Sequence, residues 1–108
     1  MARIITPAGG TITQAGWVVV VQPKATERLE IVYCAYNPES GATCAFRMGA
    51  TGQEFLRGKV AAESYISRAF NDHPLRGGFA EPFFLYSDSA DPVNWTVLYL
   101  PSIEGVHL

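Results

Sequence analysis

Histidine, cysteine and charge are all scarce in this sequence, and each shortage removes a class of function. Two histidines, His73 and His107, and two cysteines, Cys34 and Cys44, occur among 108 residues. Nucleophilic catalysis needs a nucleophile held by a base that is itself oriented by a third group. His107 is penultimate, where a chain end frays, and His73 sits in a turn directly before Pro74, so neither is placed as an imidazole base for a cysteine nucleophile. Two histidines and two cysteines also lack the short paired spacing of a structural zinc site, and strands without clustered histidines argue against a cupin-like metalloenzyme. The run Asp88-Ser89-Ala90-Asp91, with Asn94, offers oxygens for calcium. Asp and Ser are equally turn formers, however, and Pro92 completes such a turn. No P-loop is present: Gly9-Gly10 and Gly49-Ala50-Thr51-Gly52 lead into no lysine-bearing helix. The sequence therefore predicts no catalytic residue, no metal and no cofactor.

Charged residues make up 17% of the chain and leave a formal net charge of −2. The cations Arg3, Lys24, Arg28, Arg47, Arg57, Lys59, Arg68 and Arg76 are scattered, without the basic stripe of a nucleic-acid binder. The valine run from Trp17 to Val21 is far short of the roughly 20 residues that span a bilayer, so no membrane partner is expected. Met1 to Pro7 lack the apolar stretch of a signal peptide, which predicts synthesis in the cytoplasm and departure only within an assembly. Two cysteines are no disulfide framework, and each falls inside a predicted strand, where a free thiol behaves as a small buried hydrophobe.

What the chain does have is apolar and aromatic content, 48% and 12% of its residues. That is too much for disorder and enough for one core. The expectation is a single domain over residues 1–108, with a possible extended arm at 1–10 and a tail at 102–108. Turn clusters punctuate it at Pro7–Gly10, Asn37–Gly41, Gly49–Gly52, Asn71–Pro74, Arg76–Gly78 and Ser87–Pro92. Between them lie short β-branched and aromatic runs. Trp17 to Gln22 reads as a strand because four stiff valines disfavour helix. Arg28 to Tyr36 alternates, with Leu29, Ile31, Tyr33 and Ala35 on one face and Glu30, Val32, Cys34 and Tyr36 on the other. Thr43 to Met48 puts Cys44, Phe46 and Met48 on one side, and residues 37–42 would join the two strands as a hairpin. A second pair is expected between Phe79–Tyr86 and Trp95–Leu100. Residues 53–70 fit a helical period loosely, but Gly58 and the lack of a capping box favour a loop and then a strand from about Val60 to Phe70. Seven or eight short strands with a turn every ten residues or so predict an all-β antiparallel sandwich or jelly roll.

The candidate contact residues follow from alternation. Phe83 and Phe84 must point to opposite faces, so one of them meets either a second sheet or another subunit. In the last strand Trp95, Val97 and Tyr99 alternate with Thr96, Leu98 and Leu100, which makes both faces apolar. Phe83, Phe84, Trp95, Leu98 and Leu100 are thus the predicted interface, and they point to oligomerisation.

The stretches Glu27–Tyr36, Thr43–Met48, Gly77–Tyr86 and Asn94–Leu100 resemble, in style and order over about Thr26 to Pro101, the small β-sandwich virion proteins of tailed bacteriophages. The resemblance implies a capsid decoration or cement protein, with a tail or neck component as the alternative. It implies a homo-oligomer, a trimer among the possibilities, packed on the major capsid or another virion protein and located in the virion. It supplies no catalytic residue. A carbohydrate-binding sandwich module is the competing reading; its aromatic platform has no basis if Trp17 and Trp95 are both buried.

Overall fold

A computed structural model describes residues 5–70 and 73–103. Every regular element in them is a strand: β1 Thr6–Ile12, β2 Gly16–Val21, β3 Glu27–Pro38, β4 Ala42–Met48, β5 Glu54–Val60, β6 Ile66–Ala69, β7 Leu75–Arg76, β8 Phe83–Ser87 and β9 Val93–Ile103. They form two antiparallel sheets. Sheet A has the order β1-β9-β3-β6, with β7 also on β3, and sheet B the order β2-β8-β4-β5. Set side by side, the two orders place chain neighbours in opposite sheets: β1 and β2, β9 and β8, β3 and β4, β6 and β5. This is jelly-roll wrapping, in which a folded-over ribbon rolls into a sandwich.

Two expected hairpins are therefore corrected. β3 and β4 do not pair: β3 lies between β9 and β6, and β4 between β8 and β5. Glu39-Ser40-Gly41 is instead an arch, turned by Gly41 at φ 79°. Three residues reach far enough to cross the roughly 10 Å between packed sheets. Likewise β8 and β9 lie in different sheets, joined by residues 88–92 within the expected turn cluster. Residues 53–70 are not a loop and a strand but two strands, β5 and β6, around a turn at 61–65. Of the expected arm, Thr6 to Gly10 pair with β9, and the expected tail contributes its first two residues to β9. Ile5 is exposed ahead of β1, and residues 1–4 and 104–108 lie outside the described residues.

A β-bulge corrects the predicted faces of β3. Its register against β9 shifts between Ile31 and Tyr33. One extra residue reverses the side-chain phase. Leu29 and Ile31 point into the core, and beyond the bulge Cys34 and Tyr36 do, while Tyr33 and Ala35 turn outward and are only half-buried. No local feature of Val32 announces this; the bulge becomes visible only against its partner strand.

The core lies between the sheets. Phe46 and Phe83 stack with centroids 5.1 Å apart, and Tyr36 and Phe55 lie 5.6 and 6.1 Å from Phe46. Tyr36 keeps its hydroxyl satisfied by donating to the Leu56 carbonyl at 2.5 Å, with the Cys44 carbonyl at 3.3 Å. Leu56 has φ 54°, a conformation that costs a non-glycine residue about 1–3 kcal/mol and persists only where its surroundings hold it. Tyr36→Phe should therefore lower stability by about 1–3 kcal/mol, because the carbonyl loses a buried donor. Urea midpoints of the two proteins measure this, and equal midpoints would show that the hydroxyl does not brace β5.

Candidate functional site

The outer face of sheet B is built by alternation opposite the core residues. On β2, Val18 packs on the core and Trp17 and Val19 face out; on β8, Phe83 and Leu85 are buried and Phe84 and Tyr86 face out. On β4, Cys44, Phe46 and Met48 point in, which turns Ala45 and Arg47 outward. Register then assembles two rows across the sheet. Val19 pairs with Phe84, Phe84 with Arg47 and Arg47 with Glu54; Trp17 pairs with Tyr86, and Tyr86 with Ala45. Four apolar or aromatic side chains from two strands thus meet the arginines of two others.

The arginines lie on the rings. The Arg47 guanidinium sits 4.1 Å from the Trp17 ring centroid and 5.3 Å from that of Phe84; Arg57 sits 5.0 Å from Tyr86. Trp17 in turn contacts Tyr86 at 5.2 Å and Phe84 edge-on at 6.5 Å. The two cations differ in their partners. Arg57 holds Glu54 through two hydrogen bonds of 2.6 and 3.0 Å, which lowers the Glu54 pKa and raises that of Arg57. Arg47 has no ion pair among the described residues, and its Nε is buried without an acceptor. An unmet buried donor costs about 1–3 kcal/mol, against about 0.5–2 kcal/mol returned by a cation–π contact. Val19 at the end of its row is 43% exposed.

The five residues expected to form one interface are not brought together. Phe83 is fully buried and occupied with the core, and Trp95 packs against the core with its ring over the Gly10 position. Phe84 belongs to the outer face of sheet B. Leu98 and Leu100 lie half-buried on the opposite side of the molecule, the outer face of sheet A, paired with Tyr33 and Glu30. Arg47, Arg57, Trp17 and Tyr86, which complete the sheet B face, were not singled out as a group. Parity along β2, β4 and β8 is readable from the sequence, but Arg57 falls in a stretch that reads as a loop, and the strand order that juxtaposes the four is not readable. Trp17 and Trp95 are both half-buried rather than buried. Arg47 lies over one ring and the core holds the other, so neither is an open platform.

The cysteines sit where a thiolate is disfavoured. Burial raises the Cys34 pKa to about 12, the nearby Arg68 opposing this only in part, and burial raises Cys44 to about 11. Both thiols are free and fully buried. His73 is exposed in its turn, and His107 lies outside the described residues. The candidate calcium oxygens accept hydrogen bonds within the protein: Ser89 from the Asp91 N–H at 3.1 Å inside the turn, Asp88 from the Thr43 N–H at 2.9 Å and Asn94 from the Thr11 hydroxyl at 2.7 Å on neighbouring strands. Among the described residues no three His, Cys, Asp or Glu side chains gather into a metal-holding group, and no helix is long and apolar enough to cross a membrane.

No family model matches the sequence, and no curated protein matches it. Solved structures do match the fold. A chain of the virus-like particle of the giant freshwater prawn Macrobrachium rosenbergii extra small virus aligns with a TM-score of 0.55 at 10% identity, over 95% of this chain and 80% of that one. A chain from the disulfide-linked pili of Bacillus endospore appendages aligns with a TM-score of 0.48 at 12% identity, over 95% and 91% of the two chains. A mitogen from Yersinia pseudotuberculosis aligns at 0.41 and 12%, over 99% and 92%. At these identities the likeness is one of fold: the chain is an all-β jelly-roll sandwich similar to a chain that builds a virus-like particle.

Proposed function

We propose that this chain is a non-enzymatic structural subunit that assembles through the outer face of sheet B. The observation that carries the reading is Arg47, a cation kept on an aromatic face with a buried Nε that has no acceptor. A monomer gains little from that arrangement. A neighbouring subunit that covers Trp17, Val19, Phe84 and Tyr86 excludes water from them and strengthens each arginine contact, since aromatic and arginine side chains dominate the centres of protein interfaces. The fold shared with a chain of a virus-like particle supports this role. In its finer form the subunit is a capsid decoration or cement protein of a tailed bacteriophage, a reading that rests on the sequence resemblance; copies of the chain and a major capsid protein are its partners, and the virion is its location.

Light scattering over a range of concentrations tests the assembly. The expected result is a closed oligomer at micromolar concentration. Val19→Lys adds a further cation to the face and should dissociate it, shifting the midpoint of assembly at least tenfold while leaving the fold intact. Arg47→Met should also weaken assembly, yet leave the thermal midpoint of the monomer unchanged or higher, because the unmet N–H goes with it. A strict monomer at high concentration, or variants that assemble like the parent, would overturn the reading. Mass spectrometry of purified particles tests the finer form, which requires the chain to be present in them.

A further inference from the structure

A groove lies on a different part of the molecule, away from the outer face of sheet B. Its volume is about 220 Å³, and it crosses the outer face of sheet A, floored by β3 and β9 and walled by the turn between β5 and β6. Ala35 pairs with Thr96 and Asn37 with Asn94, so one short apolar side chain leaves a hollow among two amides and a hydroxyl. Tyr65 forms the rim and is 68% exposed, the most exposed of the large apolar side chains described.

The rim is held in place. The Asn37 amide donates to the Ser64 carbonyl at 2.7 Å, the Glu63 N–H donates to the Pro38 carbonyl at 3.0 Å, and the Ser64 N–H to the Ala61 carbonyl at 3.1 Å. Glu63 takes φ 63° within that turn. A non-glycine residue persists there only when surrounding bonds over-determine it, so the turn keeps Tyr65 in water at a conformational cost. Leaving a large ring exposed on a fixed turn gives a monomer nothing.

The polar groups are set as well. Because the Asn37 Nδ2 is bound to a carbonyl, its Oδ1 is the atom left to accept. Asn94 is oriented on both sides, by the Thr11 hydroxyl at 2.7 Å and by donating to the Glu39 carboxylate at 3.2 Å. The Thr96 hydroxyl stands on the exposed side of β9. The groove is thus lined by an aromatic ring, a small apolar floor, and neutral donors and acceptors at fixed angles, with no charged side chain lining it. That chemistry suits a neutral ligand with hydroxyls around its edge and a C–H face for the ring. An anionic group would find no counter-charge among the lining residues, and the adjacent Glu39 carboxylate is already engaged by Asn94.

We propose that this groove binds the pyranose ring of a neutral saccharide. One face of the sugar lies on Tyr65, with its hydroxyls shared among Asn37, Asn94 and Thr96. The site is shallow and takes one ring, so a dissociation constant of about 1–10 mM is expected for a monosaccharide. Several copies in an assembly would raise the avidity without new contacts.

The test is NMR titration of the full chain with methyl glycosides of glucose, galactose, mannose and N-acetylglucosamine. At least one should shift the side-chain amide signals of Asn37 and Asn94 and saturate in the millimolar range. Tyr65→Ala, at an exposed position that leaves the fold alone, should weaken that sugar at least tenfold. Tyr65→Phe should retain most of the binding, and Thr96→Val should weaken it several-fold. No saturable shift with any of the four sugars overturns the proposal. So do shifts that map to other residues, or a Tyr65→Ala protein that binds like the parent. The oligomeric state is not the readout, so this outcome is independent of the assembly experiment.

Discussion

Replacing Phe46 by alanine is expected to lower the free energy of unfolding by about 3–5 kcal/mol, the range for a fully buried phenylalanine whose cavity cannot collapse. Phe46 is inaccessible to solvent and touches aromatic rings from both sheets: Tyr36 on β3, Phe55 on β5 and Phe83 on β8. Each sheet is stiffened by its own ladder, so neither can move inward to fill the space. A domain of this size has roughly 5–15 kcal/mol in all, so the variant should be marginal at 37 °C. Its thermal midpoint should fall by about 15 °C or more. Denaturant titration followed by tryptophan fluorescence measures the loss. Val19→Ala, on the exposed side of β2, is the control and should change stability by under about 1 kcal/mol. A Phe46→Ala protein within about 1 kcal/mol of the parent would mean that the sheets are not packed through this stack.

Stability is also expected to fall steeply above pH 9. Three acidic hydrogens are buried between the sheets: the thiols of Cys34 and Cys44, raised to about 12 and about 11, and the Tyr36 phenol, raised to about 12. Burial is the first cause in each case, because it penalises the charged form. A raised folded-state pKa means that the folded chain retains protons the unfolded chain has released. Their contribution is therefore complete below the ordinary thiol value near 9 and is lost as pH rises toward 11 and 12. The two thiols alone should remove on the order of 4 kcal/mol between pH 9 and 11. Urea midpoints at a series of pH values trace the curve. A Cys34→Ala, Cys44→Ala double variant is less stable at neutral pH but should show a flatter alkaline limb. An unchanged slope in that variant would overturn the assignment, as would parent thiols that react with a disulfide reagent at pH 8 as fast in buffer as in urea.

The two proposed surfaces lie on opposite outer faces of the sandwich, sheet B for assembly and the groove of sheet A for sugar. The division has a physical basis. Alternation gives every strand of a two-sheet sandwich one side for the core and one for the exterior, so the two exteriors vary independently of packing. Sheet B's exterior is aromatic and cationic, whereas the groove in sheet A is neutral and built on small residues. Covering one leaves the other open, and a subunit held by sheet B presents Tyr65 outward.

Much of this molecule is legible in the order of its residues. Strand identity follows from β-branched and aromatic runs between glycine, proline and asparagine turns, so the all-β class and the positions of β2, β3, β4, β6, β8 and β9 are readable directly, whereas β1, β5 and β7 fall where an arm, a loop and no strand are expected. The same-side sets Cys44-Phe46-Met48 and Trp95-Val97-Tyr99 also follow, because period-2 alternation is a property of the chain alone; that the second set faces the core does not, since both faces of that strand read as apolar. The inert cysteines follow from their place inside apolar strands. Tertiary structure decided the rest. Whether Glu39-Ser40-Gly41 turns a hairpin or arches between sheets depends on β9, which follows it by some fifty residues and pairs along the full length of β3. The phase of Cys34 and Tyr36 depends on a bulge that exists only relative to that same partner. The aromatic face of sheet B needs Trp17, Arg47, Phe84 and Arg57 side by side, from four strands of which only β4 and β5 are neighbours in sequence as well as in space. Alternation is local and can be read from a single strand, but strand order is a choice among non-local pairings, and the folded chain makes it by the total surface that each arrangement buries.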